Sequence, residues 1–129
     1  MKILDRIFSL TDPRTSARTE IFGGLTTFLT MSYIIFVQPD VLSVDFSGQP
    51  TGLDFGAVLL ATCLASAATS IFMGLWAGYP IALAPGMGEN FFFVSTIMAL
   101  ESMGVEHAWQ TALGIVFAAG VLFFVLSVL

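Results

Sequence analysis

The sequence is poor in charged residues. Only 10% of its 129 residues are Asp, Glu, Lys or Arg, against roughly 25% in a soluble domain. Because 57% of the residues are apolar, there is too little polar surface to coat a water-soluble globule, and a soluble fold is excluded. The four Lys and Arg residues are also too few for a phosphate-binding face, which excludes nucleic acid as a partner. The composition predicts an all-α integral membrane protein with room for about four helices of ~20 residues.

Catalytic and metal-binding patterns are equally scarce. Cys63 is the only cysteine and lies in an apolar run, so it cannot form an internal disulfide and is interpreted as a packing residue. His107, the only histidine, falls in a polar loop and is interpreted as solvated. The sequence contains neither a cluster of metal ligands nor a nucleophile beside a base. We therefore expect no enzyme activity, no cofactor, and no catalytic or metal site.

Charge-free runs separated by polar stretches place the spans. The run over 55–88 would form a helix of about 51 Å, which is longer than a bilayer core of ~30 Å, so the chain must turn within it. Gly78 and Pro80 interrupt helix and place this turn at 77–80. The transmembrane region is predicted over 20–129, after a cytoplasmic N-terminus over 1–19 that contains a short interfacial helix. The predicted spans are residues 21–39, 55–77, 80–100 and 110–129.

The basic residues predict the orientation of the chain. All four lie before the first span, whereas the loops over 40–54 and 101–109 contain none. Since basic residues stay on the cytoplasmic side, we expect a multi-pass protein of the cell membrane with a cytoplasmic N-terminus. The last apolar run reaches Leu129 without a polar flank. This pattern predicts that the chain is a fragment of a longer protein.

The third predicted span contains residues that an ordinary helix would not tolerate together. Pro85 removes a helix hydrogen bond, and Gly86 and Gly88 disfavour helix, so the sequence predicts an extended stretch over 81–88. A half-helix then begins near Glu89 or Asn90, close to the middle of the membrane. Such broken helices mark binding sites in secondary transporters, because irregular backbone at that depth needs partners. Backbone donors, an amide and a carboxylate suit a planar heterocycle with alternating donors and acceptors.

Three features of this region have two interpretations each. Glu89 either acts on the ligand or complements the positive end of the half-helix, and Asn90 either contacts the ligand or caps the helix. On the first span, Thr26, Thr27 and Thr30 either face the binding cavity or bond back to carbonyl groups of their own helix. Small residues repeat every four positions along the second span, which indicates close helix packing. The three adjacent phenylalanines at 91–93 must point in three directions around a helix.

Several runs resemble the N-terminal part of the xanthine/uracil permease superfamily, and within it the adenine, guanine and hypoxanthine permease branch of nucleobase–cation symporters. They are residues 18–39, 61–65 and 74–80, and the stretch Ala-Leu-Ala-Pro-Gly-Met-Gly over 82–88 with Asn90 two residues later. The resemblance implies fourteen spans in two inverted seven-span repeats, of which this chain supplies spans one to four. It also implies purine binding beside the broken third span. The residues that this assigns to the base site are Pro85, Gly86, Met87, Gly88, Glu89, Asn90, Thr26, Thr27 and Thr30.

The resemblance further implies the partners of the full-length protein. They are a purine nucleobase, a coupling proton or cation, the lipid bilayer, and a second copy of the protein in a homodimer. A competing hypothesis, from a different class, is a small membrane scaffold or accessory subunit that does not transport anything.

Overall fold

The computed structural model describes residues 16–77 and 81–129. The predicted interfacial helix and most of the predicted turn at 77–80 lie outside these ranges. Within them the regular structure is helical, apart from one isolated bridge between Val44 and Pro50, which confirms the all-α prediction. The helices are α1 (Ala17–Met31), α2 (Ile34–Ser43), α3 (Phe55–Phe72), a π-helical turn (Met73–Ala77), α4 (Met87–Ser102) and α5 (Ala108–Val128).

The first predicted helix, 21–39, is longer than expected and is interrupted. It begins at Ala17, where the Ser16 hydroxyl accepts a hydrogen bond from the Thr19 N–H at 3.3 Å, and α2 continues to Ser43 with Pro39 inside it. The predicted loop over 40–54 therefore starts only after residue 43. The helix is interrupted at Ser32. Four side-chain hydroxyls, on Thr26, Thr27, Thr30 and Ser32, donate to backbone carbonyls of the turn before them, a pattern that bends helices.

The region of the second predicted span, 55–77, contains α3 and the π-helical turn that follows it. Asp54 Oδ1 accepts from the Ala57 N–H at 2.8 Å and so caps α3, and the helix ends in the π-helical turn Met73–Ala77. A π-helical turn widens the hydrogen-bonded ring by one residue and is found mostly at irregular or functional positions. The next described residues, from 81 onward, form the non-helical segment that precedes α4.

The extended segment is shorter than predicted. Residues 81–86 are not helical, but α4 begins at Met87 rather than at Glu89 or Asn90. Gly88 is therefore helical, since one glycine in the first turn costs only about 1 kcal/mol. With 16 residues, α4 is about 24 Å long, shorter than a bilayer core of ~30 Å.

Three helical stretches in the described ranges are long and apolar enough to cross a membrane: Arg18–Ser43, Phe55–Trp76 and Ala108–Val128. They correspond to the first, second and fourth predicted spans. The third span stays a prediction in which the non-helical residues before α4 supply the remaining length.

The chain divides into two compact units. The first contains α1, the start of α2, most of α3 and the segment up to Pro85. The second contains residues 38–58 and 86–129. Its core is formed where α4 packs against α5, around Ile97, Ala108 and Ala112. The loop over 44–54 belongs to this second unit and is held by Asp45, whose Oδ1 accepts from the N–H groups of Ser47 and Gln49 at 2.8 and 2.7 Å.

Candidate functional site

The start of α4 is an uncapped helix end. Gly86, with φ −83° and ψ 135°, occupies the N-cap position and supplies no side-chain hydrogen bond. The first N–H groups of a helix have no partner within the helix, and their aligned dipoles attract negative charge and hydrogen-bond acceptors. Glu89 lies in this first turn and is exposed. The end of α4 thus offers backbone donors next to a carboxylate.

The space beside the two glycines is open. A Cβ added to Gly88 would meet no heavy atom within 4 Å, and one added to Gly86 would meet only Glu89 Cδ, at 3.9 Å. Neither glycine is therefore required by close packing or by a left-handed backbone conformation. This room lies at the same helix end as the backbone donors.

Asn90 is buried in the second unit and is paired there. Its side chain is 5% exposed, and its Nδ2 donates a hydrogen bond to Oε1 of Gln38, which is 6% exposed. Nδ2 also lies 3.7 Å from Met87 Sδ. The amide of Asn90 makes no capping bond, because the cap position is Gly86. In the structure Asn90 therefore does not cap α4.

The extended segment is fixed to α3 in the first unit by one side chain. Ser70 Oγ accepts from the Leu83 N–H at 2.9 Å and lies 3.4 Å from the Leu83 carbonyl oxygen, to which its hydroxyl donates. Both backbone groups of Leu83 thus have partners although the residue is not helical. A cavity of about 350 Å³ adjoins this contact, and its lining includes Ser66, Ser70 and Thr62 among mostly apolar residues.

The predicted threonines on α1 bond to their own helix. The hydroxyls of Thr26 and Thr27 donate to the carbonyls of Phe22 and Gly23 at 2.8 and 2.9 Å, and that of Thr30 donates to the Thr27 carbonyl at 2.8 Å. The back-bonding interpretation is therefore observed. Each hydroxyl oxygen still has lone pairs, so a threonine of this kind can accept a hydrogen bond but has no proton left to donate.

A groove between α4 and α5 contains Glu89. Its volume is about 380 Å³, and besides Glu89 and Thr96 its lining is glycine and apolar side chains, among them Phe92 and Phe93. The three adjacent phenylalanines do point in different directions. The ring of Phe91 stacks on Phe46 with centroids 6.1 Å apart, Phe93 packs against the core, and Phe92 is 76% exposed.

The structure brings together only some of the residues singled out from the sequence. Met87 and Asn90 are in contact, and Gly86, Gly88 and Glu89 share the same first turn in the second unit. Pro85 and the three threonines belong to the first unit. Sequence reasoning missed Gln38 as the partner of Asn90 and assigned Ser70 only to helix packing. The signal for Gln38 was its type, since an uncharged but strongly polar amide stands in an otherwise apolar run.

In the described ranges, three apolar helical stretches of membrane-spanning length are typical of a multi-pass membrane protein, and a helix that begins after non-helical backbone is typical of secondary transporters. The sequence model of the xanthine/uracil permeases, described as "Permease family", matches residues 18–129. The chain therefore belongs to this permease family, whose members are transporters and not enzymes. The resemblance drawn from its motifs is confirmed.

Individual relatives agree with this assignment. The chain is 46% identical to the adenine permease AdeP of Escherichia coli, over 89% of this chain and 24% of the relative. It is 49% identical to the guanine/hypoxanthine permease PbuG of Bacillus subtilis, over 93% of this chain and 27% of the relative. A second guanine/hypoxanthine permease of B. subtilis, PbuO, is 42% identical over 94% of this chain and 26% of the relative. The chain thus spans about a quarter of the length of these relatives. No solved structure matches it.

Proposed function

We propose that the chain is part of a longer permease that moves purine nucleobases across the cell membrane in symport with a proton or cation. The observation that carries the proposal is the similarity, over most of the chain, to relatives named adenine permease and guanine/hypoxanthine permease. In this proposal the chain supplies spans one to four, its N-terminus is cytoplasmic, and the full-length protein is a homodimer.

The base site in this proposal is built on the first turn of α4. Gly86 and Gly88 leave room for a planar ring, the free N–H groups of the helix end donate to its acceptor atoms, and Asn90 supplies an amide. Glu89 lies on the same turn as an ionisable group. The sequence-based assignment of Pro85, Thr26, Thr27 and Thr30 as neighbours of the base stays a prediction.

Uptake measurements test the proposal. The full-length gene product, expressed in a host without its own purine carriers, is expected to take up labelled adenine, guanine or hypoxanthine with saturable kinetics. Dissipating the proton gradient and replacing sodium in the buffer identify the coupling ion. Absence of saturable uptake of every nucleobase would overturn the proposed function.

The variant Asn90→Ala tests the site itself. It removes the amide and is expected to raise the KM for the transported base by about 5- to 150-fold, the equivalent of losing one buried hydrogen bond worth ~1–3 kcal/mol. The amount of protein in the membrane, measured by immunoblot, serves as the control for insertion. An unchanged KM at normal membrane level would remove Asn90 from the site.

A further inference from the structure

The side chain of Gln38 limits what the Asn90 amide can offer to a ligand. An asparagine amide has two N–H donors and one carbonyl oxygen. Both acceptors next to Asn90, Oε1 of Gln38 and Sδ of Met87, lie at Nδ2. A thioether sulfur accepts hydrogen bonds but cannot donate them. The amide is held with its nitrogen toward Gln38 and Met87, because turning it would bring its carbonyl oxygen against the thioether sulfur, which cannot donate, and against Oε1 in the orientation that Gln38 has in this structure.

The carbonyl oxygen of Asn90 is the group that remains free. Within the described ranges no hydrogen bond is made to Asn90 Oδ1. Every fully buried side-chain oxygen and nitrogen in these ranges does have a hydrogen-bond partner, so Oδ1 is not fully buried. The 5% of the residue that is exposed therefore includes this oxygen. Asn90 lies one turn after Gly86, and an added Cβ at Gly86 would meet only Glu89 Cδ, at 3.9 Å, so there is open space on the side of α4 that these two residues share.

We propose that Gln38 is a positioning residue: it fixes the Asn90 amide so that the carbonyl oxygen faces the transported molecule, which must then donate an N–H group to it. The inference rests on the proposed function and deepens it. It assigns to this position a recognition of ring N–H or exocyclic amino groups. A base whose matching nitrogen is methylated loses the donor and is discriminated against.

The test compares variants of Gln38 in the full-length protein, with labelled hypoxanthine as the probe. Gln38→Leu removes the acceptor at similar volume, whereas Gln38→Glu keeps an oxygen at the same position. The matched control is Thr51→Val. Thr51 is a buried polar residue of the same unit, 4% exposed, whose hydroxyl donates to the Leu42 carbonyl and not to Asn90.

Two readouts separate positioning from general stability. The first is the KM for hypoxanthine, which Gln38→Leu is expected to raise by about 5- to 150-fold with little change in the maximal rate per transporter. Gln38→Glu and Thr51→Val are expected to stay near the wild-type KM. The second is competition by hypoxanthines methylated at single ring nitrogens. One of them should compete poorly in the wild type and approach hypoxanthine in Gln38→Leu, because the released amide can turn and present its NH2 group.

Each outcome decides between the alternatives. A KM within about twofold of wild type for Gln38→Leu at normal membrane level, or unchanged discrimination against the methylated bases, would overturn the positioning role and leave the proposed function standing. If Gln38→Leu does not reach the membrane, Gln38→Met is measured, since it fills a similar volume. Loss of both proteins from the membrane would assign Gln38 a purely structural role and overturn the inference. Absence of saturable uptake by the wild type would overturn the proposed function together with it.

Discussion

Replacing Ser70 by alanine is expected to release the extended segment before α4. The substitution removes the only side-chain partner recorded for Leu83 in the described ranges, namely the acceptor 2.9 Å from its N–H and the donor to its carbonyl. An unpaired backbone group costs ~1–3 kcal/mol where water cannot replace the lost partner. Because Leu83 is 39% exposed, we expect the lower part of this range, about 1–2 kcal/mol.

Hydrogen–deuterium exchange of the full-length protein in detergent measures this directly, since amide exchange reports the free energy of local opening. A loss of about 1–2 kcal/mol corresponds to roughly 5- to 30-fold faster exchange in a peptide covering residues 81–86. Ser70→Thr keeps the hydroxyl and should exchange at the wild-type rate.

The matched control is Ser66→Ala, one turn earlier on the same helix and lining the same cavity. Within the described part of the chain, the Ser66 side chain makes no hydrogen bond to residues 81–86, so its removal should leave the exchange of these residues unchanged. Equal exchange in Ser70→Ala and Ser66→Ala would refute the reasoning that Ser70 holds the segment.

Two further substitutions test glycines with opposite surroundings. Gly52 has φ +87°, and an added Cβ would lie 2.8 Å from Trp109 Cδ1. Gly52→Ala should therefore lower the melting temperature of the full-length protein more than Gly48→Ala, where φ is +79° and nothing lies within 4 Å. Equal losses of melting temperature would mean that the indole contact adds nothing to the backbone strain of about 1–2 kcal/mol that both variants share. Gly88→Ala meets open space and gains ~1 kcal/mol of helix propensity, so it should raise the KM for the base without lowering the melting temperature. The control Gly114→Ala is equally unhindered on α5 and should leave the KM unchanged. An unaltered KM in Gly88→Ala would remove this glycine from the site.

The sequence predicted those parts of the fold that depend on local chemistry. Pro85 and Gly86 stand next to each other and together disfavour helix, so the non-helical segment and the new helix after it could be located to within two or three residues. The exact start at Met87 could not, because Gly88 is compatible with either a helical or an extended conformation. The interruption at Ser32 was also missed, since no glycine or proline stands there and the bending comes from a sum of hydroxyl groups.

The candidate site could be predicted only in its local part. The residues of the first turn of α4 follow one another in sequence, so the motif reveals them together. The partner of Asn90 is 52 residues away, and no periodicity or spacing connects the two positions. Ser70 was assigned correctly to a helix of small residues, but its contact with Leu83 depends on where the extended segment lies against α3. Such contacts are tertiary, and a single sequence carries no direct signal for them.

The pairing of Gln38 with Asn90 has a consequence for the order of events during synthesis. The two residues are separated by 52 positions, so at a translation rate of about 5–20 residues per second the second amide is made roughly 3–10 seconds after the first. Throughout that interval the Gln38 side chain on α2 has no Asn90 amide from which its Oε1 can accept a hydrogen bond. Water or the insertion machinery must satisfy it until the first turn of α4 has been made, which makes this amide pair a late contact in the biogenesis of the protein.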